Sequence, residues 1–354
     1  TNQGGEYGFT GLTLEEDYTI DPELVADVNV ATAVTTFDAL LINRHILGIA
    51  ELQSPYQHIV ADVNMDGQIN VLDVVHIRMV IMGQTATYPQ GPSWRFVDQD
   101  YEFSADASDW LEENFPEVYN ANDLQGDILN ADFYALVLGN VCEGVLSSAV
   151  LGSSADSEAR SSVVLLARVL NLSADERSSA DDIQLQAGNT YDLDFTAEDL
   201  YGLQGTLELG AGLELVDISY GLASAGNINL ENAAEGIITF SWDDAMVASS
   251  SEASRPSEVS SSLFTLSVRA TADATLSDVL SLTDRVTRSE GYPTFGGVAN
   301  LSLDFATTTA TDVAEFSLGQ NSPNPVDAAT QIAFSLPVAN TAMLTIRDVQ
   351  GRTI

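Results

Sequence analysis

The chain reads as a mainly β protein carrying a small α module, with an antiparallel β-sandwich behind it and a partial β domain at the C-terminal end. Three observations predict this. Two apolar stretches, near 36–47 and 71–82, each follow an Asp-Val-Asn loop and run too long without turn residues to be strands. From residue 163 to 305 the pattern changes to short alternating segments separated by polar turns, which is the signature of a sandwich. Between them, residues 147–162 are rich in Ser, Ala and Gly and read as a linker. At 354 residues and 45% hydrophobic content, the chain has room for two to four domains with real cores.

The first element to justify is the loop Asp62-Val63-Asn64-Met65-Asp66-Gly67-Gln68-Ile69-Asn70-Val71-Leu72-Asp73. Asp62, Asn64, Asp66, Asn70 and Asp73 put oxygen-bearing side chains at loop positions 1, 3, 5, 9 and 12; Gln68 offers its carbonyl at position 7 and Gly67 permits the sharp turn at position 6. Calcium is a hard cation that takes about six to eight oxygens, and such a loop running into a helix delivers them from one short piece of chain. The spacing predicts a calcium site.

A second copy precedes it at a constant offset. Asp27, Asn29, Asp38 and Gly48 correspond to Asp62, Asn64, Asp73 and Gly83, since 62 − 27, 64 − 29, 73 − 38 and 83 − 48 all equal 35. This first loop is degenerate, with Ala31 at position 5 and Thr32 at position 6. Asp27, Asn29, the Ala33 carbonyl, Thr35 and Asp38 are its remaining donors. Fewer charges and a lost turn glycine predict a weak or empty site.

Aspartate at position 12, followed by an apolar helix and repeated in tandem, resembles the dockerin family. That resemblance implies a calcium-ordered module over 23–83 whose partner is a cohesin-type sandwich.

The formal charge of −40, from 52 acidic against 12 basic residues and no lysine, disfavours nucleic acid and anionic membranes as partners. It suits divalent cations and a saline extracellular medium, where self-repulsion is screened. A single cysteine, Cys142, excludes an internal disulfide framework. No apolar run approaches the length of a transmembrane helix. The chain is expected to be a piece of something longer.

Residues 1–22 carry short aromatic and β-branched segments that resemble the last strands of an immunoglobulin-like sandwich of the Cna-B type; a simple extended arm is the alternative. Residues 84–146, with Ser93-Trp94-Arg95-Phe96-Val97 and Phe133-Tyr134-Ala135-Leu136-Val137, resemble an extension that follows dockerins in secreted proteins of the Bacteroidetes. Asn140 and Cys142 depart from its usual terminal calcium turn, so no third ion site is expected there. Over 163–306, the succession Gly202-Leu203-Gln204-Gly205, Ser241-Trp242-Asp243, Leu263-Phe264-Thr265-Leu266 and Arg288-Ser289-Glu290-Gly291-Tyr292 resembles a cohesin-like domain, with 249–262 as an inserted loop. After a linker at 307–315, Asn321-Ser322-Pro323-Asn324-Pro325 and Asp348-Val349-Gln350-Gly351-Arg352 resemble the immunoglobulin-like C-terminal sorting domain of type IX secretion cargo, incomplete at 354. This implies a secreted or surface-attached protein handled by that machinery.

No enzyme emerges. His45 and His76 fall within the repeat helices and His58 between them, in no zinc-type cluster. Nucleophile elbows, phosphate loops and His-Glu-x-x-His are lacking. Asp243-Asp244 is one of many acidic pairs expected by chance, and Trp242 and Tyr292 are carbohydrate-stacking candidates better read as core. The expected function is therefore a non-catalytic calcium-binding assembly or adhesion module. Its dockerin-like unit would dock on a cohesin-like sandwich of the same or a neighbouring chain, the latter building a homopolymeric fibre. The alternative is a set of accessory modules of a secreted polysaccharide hydrolase.

Overall fold

A computed structural model describes residues 5–23, 30–89, 93–106, 110–142, 162–172, 183–245, 262–294 and 298–307, with two further short strands, Ser317–Leu318 and Phe334–Ser335, that pair antiparallel. Asp27 and Asn29, nearly all of the 147–162 linker and the 249–262 loop, and the two C-terminal motifs lie outside the described residues.

The N-terminal arm contributes β1 (Tyr18–Ile20). The helical module follows, with α1 (Thr36–Ile46), α2 (Pro55–Ala61) and α3 (Val71–Ile81). Its starts are written in the sequence as caps. Thr35 and Asp38 form a capping box on α1, Asn70 and Asp73 form one on α3, and Ser54 caps α2 with Pro55 in its first turn. The two repeat helices end at Gly48 and Gly83, whose φ of 66° and 69° is a left-handed turn that glycine adopts without strain. The α2 helix between the repeats was not foreseen; Ser54-Pro55 was its signal.

The extension supplies β2 (Trp94–Asp98), β3 (Tyr119–Ala121) and β4 (Phe133–Val137). β2 pairs antiparallel with β4, and the arm strand β1 pairs with β3, so residues 18–20 join the extension. Module and extension share one core, in which Ala39, Ile42, Ile59, Val60, Val74, Ile77 and Val80 pack with Val97, Leu136, Leu138 and Val141. Two bonds strap the extension's end to α2: Gly139 N–H donates to the Val60 carbonyl at 2.7 Å and Gln57 Nε2 to the Val141 carbonyl at 3.0 Å.

The sandwich is built from β5 (Ser162–Val169), β6 (Gln184–Leu185), β7 (Thr190–Thr196), β8 (Leu200–Leu209), β9 (Leu213–Tyr220), β10 (Ile228–Asn229), β11 (Ile237–Asp243), β12 (Ser262–Ala270), β13 (Ala274–Thr275), β14 (Leu280–Thr283), β15 (Glu290–Pro293) and β16 (Ala299–Thr307). A short pair, β6 with β13, stands apart; the others form one curled sheet in the order β10-β11-β8-β15-β16-β5-β7-β12-β9, with β14 also on β8. All its pairings are antiparallel except β5 with β16. The sequence reading expected antiparallel pairs throughout. These two strands open and close the domain, so no hairpin dictates their relative direction.

Alternation along the strands fills the interior with Leu193, Phe195, Leu203, Leu207, Ile238, Phe240, Phe264, Leu266 and Val268. Phe264 stacks on Phe195 at 4.8 Å between ring centroids and lies 6.1 Å from Phe240, so it ties β7, β12 and β11 together. Phe264→Ala is expected to lower stability by about 3–5 kcal/mol, measured by denaturant titration, without altering calcium binding.

Candidate functional site

Alternation also aims the other side chains of β8 and β11 outward, where solvent would be expected. They are buried instead: Gln204, Thr206, Thr239 and Ser241 retain 2%, 0%, 2% and 0% exposure. Gln204 stands opposite Ser241 and Thr206 opposite Thr239 across the ladder. Covering them are α1 and the end of α3.

The bonds across this face are specific. At the start of α1, where backbone donors have no helical partner, Thr36 N–H donates to Gln204 Oε1 at 2.7 Å, and the Thr36 and Ser241 hydroxyls meet at 2.6 Å. At the end of α3, where carbonyls are left over, Met82 O accepts from Asn229 Nδ2 at 3.1 Å and from the Thr239 hydroxyl at 2.7 Å, while Ile81 O accepts from the Thr287 hydroxyl at 2.6 Å. Helix-end groups that normally need water or caps are thus satisfied by the sandwich. Leu40, one turn beyond Thr36, is fully buried, Phe37 stacks on Tyr292 at 5.6 Å, and the Arg44 guanidinium lies 4.9 Å from the centre of the Tyr201 ring. Gly202 is required at the closest approach: a Cβ there would sit 2.8 Å from the Trp242 carbonyl and 3.3 Å from Thr36 Cγ2.

At the edge of the face, Asp243 receives both repeats. Asn43 Nδ2 donates to its Oδ2 at 2.9 Å, and Arg78 pairs with its Oδ1. These two donors occupy the same place in the repeat, since 78 − 43 equals 35. The Asp243 side chain is 2% exposed and that of Arg78 18%, so the pair lies mostly out of water.

The 62–73 loop curls as its spacing requires. Met65 and Gly67 both take positive φ, 54° and 81°. Asp62 accepts from Asp66 N–H at 3.1 Å and Gly67 N–H at 2.9 Å, Asn64 Oδ1 accepts from Asp66 N–H at 2.9 Å, and Asp66 Oδ1 accepts from Gln68 N–H at 2.9 Å. Asn70 Oδ1 caps α3 by accepting from Leu72 N–H at 2.8 Å. Among the described residues no three His, Cys, Asp or Glu side chains are gathered as a ready-made ion site. Two of the loop's carboxylates, Asp62 and Asp73, are nevertheless buried. Burial pushes the Asp73 carboxyl up to about 6, with Asp62 and Asp66 adding to the rise against opposing bonds from Asn70 and Asn64, and burial raises Asp62 as well.

The first loop is different. Val30–Thr32 forms a 3₁₀ turn, and Thr35 and Asp38 are engaged with one another, Thr35 N–H donating to Asp38 Oδ2 at 2.9 Å and its hydroxyl at 3.0 Å. Ala33 N–H donates to the Val30 carbonyl at 2.9 Å.

His45 and His58 serve packing. The His45 ring lies 5.1 Å from that of His58, which in turn meets Trp110 at 5.0 Å; Leu52 N–H donates to His45 Nδ1, and burial holds His45 below the usual imidazole range. Trp242 is buried in the sandwich core, as expected, whereas Tyr292 is buried by its stack on Phe37 at the docking face. Sequence reasoning missed Asp243, which it took for a chance acid, and the docking face. A signal existed: the middle of the outward row of β8 and β11 is Gln204, Thr206, Thr239 and Ser241, uncharged side chains with Glu208 and Asp243 only at its ends.

Residues 25–81 match the model of the Dockerin type I domain. No curated protein matches the chain. Solved structures with a likeness include a non-cellulosomal cohesin from the hyperthermophilic archaeon Archaeoglobus fulgidus, at 14% identity over 42% of this chain and 93% of that one, with a TM-score of 0.24. A type II cohesin domain from the cellulosome of Acetivibrio cellulolyticus aligns at 12% identity over 40% of this chain and 91% of its own, with a TM-score of 0.27. CaCohA2 from Clostridium acetobutylicum aligns at 12% over 41% and 92%, with a TM-score of 0.25.

Removing Asp243 leaves the Arg78 charge, mostly out of water, without its acid. Asp243→Ala is expected to cost about 3 kcal/mol of stability and Asn43→Ala about 1 kcal/mol, both read from chemical denaturation of the whole chain.

Proposed function

We propose that this chain is a non-catalytic, calcium-binding assembly module of the extracellular space, in which a dockerin-type unit closes on a cohesin-like sandwich of the same chain. The observation that carries the reading is the outward polar row of β8 and β11, buried and hydrogen-bonded to both ends of the helical module. A face of that kind is a binding surface in use. Asp62, Asn64, Asp66, the Gln68 carbonyl, Asn70 and Asp73 would hold the calcium, which supplies the positive charge that the buried carboxylates lack. The domain partition follows: arm to 22, module 23–83, extension 84–146, linker 147–162, sandwich 163–306, and a type IX sorting domain from 316. Export by that route, in a Bacteroidetes-like organism, agrees with the acid excess. The same contacts made between neighbouring chains would yield a head-to-tail fibre; the intrachain bonds favour the closed clasp.

Insertion of a protease site within 147–160 tests the clasp on the intact chain. After cleavage in calcium, the two halves are expected to co-elute on size exclusion, and with Asp243→Ala to separate. Halves that part at once in the unmutated protein would sink the clasp.

Calcium binding should also depend on pH with a definite sign. Asp73 must be ionised to act as a ligand and its folded pKa is raised to about 6, so protons compete with the ion and affinity falls as pH drops from 7.5 to 5. In the ion-free protein the sign reverses: a raised acid favours the folded state at low pH, and this contribution is lost as pH rises through 6. Calorimetric titration and melting curves at the two pH values check both.

A further inference from the structure

The first repeat lacks the means of its twin to hold an ion, yet its helix makes most of the docking contacts. What orders it is visible in the fold. We infer that the first loop is held by the protein's own groups in the place of calcium: the Cys142 amide from the extension, the Arg288 guanidinium from the sandwich, and two buried valines. This rests on the proposal that calcium occupies the 62–73 loop, since it is the contrast with that loop that gives the first its meaning.

Asp38 is the counterpart of Asp73. Both carboxylates cap their helix through one oxygen, Oδ2 accepting from Thr35 N–H in the first repeat and from Asn70 N–H in the second, each at 2.9 Å. Their other oxygens differ. Asp73 Oδ1 has a long contact of 3.4 Å from Asn64 N–H, a residue of its own loop. Asp38 Oδ1 accepts at 2.9 Å from the N–H of Cys142, more than a hundred residues along the chain. A backbone donor has taken the side of the carboxylate that, at position 12 of a working loop, faces an ion.

The rest of the loop fits the same account. Position 6, a glycine at positive φ in the second repeat, is Thr32 at the end of a 3₁₀ turn, and its carbonyl accepts from an Arg288 guanidinium nitrogen. Positions 4 and 8, the exposed Met65 and part-buried Ile69 in the second loop, are Val30 and Val34 in the first, at 2% and 0% exposure. They pack into the core that includes Leu136, Leu138 and Val141, directly before Cys142. Burial of two valines supplies apolar stabilisation that needs no metal. The extension is therefore the first repeat's substitute for an ion, and the docking helix α1 is ordered whether or not calcium is present.

The test uses the whole chain stripped with chelator. Calorimetry is expected to give one calcium per chain, abolished by Asp73→Asn and unchanged in stoichiometry and affinity by Asp38→Asn, which lowers the melting temperature instead. Hydrogen exchange in chelator should leave amides 30–46 protected while 62–75 exchange, and Arg288→Ala should speed exchange at 30–34 alone. Two calcium ions per chain, with one lost in Asp38→Asn, would overturn the inference and leave the proposed function standing. Calcium-dependent protection of both loops together would overturn it as well, even if Asp38→Asn does not fold. No calcium bound at all would overturn the calcium reading of the 62–73 loop and, with it, the contrast on which the substitution rests.

Discussion

Everything else in the arrangement depends on satisfying helix ends against a sheet. The first turn of α1 brings a spare amide and the last turn of α3 brings spare carbonyls, and a buried orphan of either kind costs about 1–3 kcal/mol. The sandwich answers with side chains that can donate or accept as needed: Gln204 and Ser241 at one end, Asn229, Thr239 and Thr287 at the other. Hydroxyls and amides suit this task because they carry no charge that must be neutralised when water leaves. The ion pair of Arg78 with Asp243 sits at the edge, where Asn43 completes the carboxylate's partners.

The scarcity of basic residues sharpens the pattern. In a chain of 12 arginines and 52 acids, Arg44, Arg78 and Arg288 are all spent where the helical module meets the sandwich. Arg95 is spent inside the extension, bonded to Glu117 and lying 4.6 Å from the centre of the Phe115 ring. Long-range repulsion between two acidic bodies opposes their contact, and salt at saline strength screens it within a few ångströms. The local cation pairs, partly shielded from that same salt, are screened less.

Much of this was legible in the sequence, and for physical reasons. The helix boundaries followed from the apolar runs behind each Asp-Val-Asn loop, a local pattern: the expected 36–47 and 71–82 became Thr36–Ile46 and Val71–Ile81. The sandwich strands followed from period-two alternation, because burial on one face leaves that mark. What resisted was everything decided at long range. The direction of β16 beside β5, the pairing of β1 with β3, and the bond from Cys142 to Asp38 join residues with no local code between them. The docking face hid for a subtler reason: a polar row against another protein surface reads like a polar row against water. Asp243 was lost among the acids around it, and the first loop's residues looked like a worn ion site because the groups that replace the ion lie elsewhere in the chain.

The makeup of the docking face has a consequence for heat. Separating α1 and α3 from β8 and β11 would wet mainly hydroxyls, amides and helix-end carbonyls, with Leu40 and the Phe37–Tyr292 stack as the chief apolar exceptions. Polar exposure lowers heat capacity while apolar exposure raises it, so the two contributions largely cancel for this opening, although they do not for unfolding the core around Phe264. The strength of the closure therefore changes almost linearly with temperature, while the bodies it joins follow the usual curved stability profile.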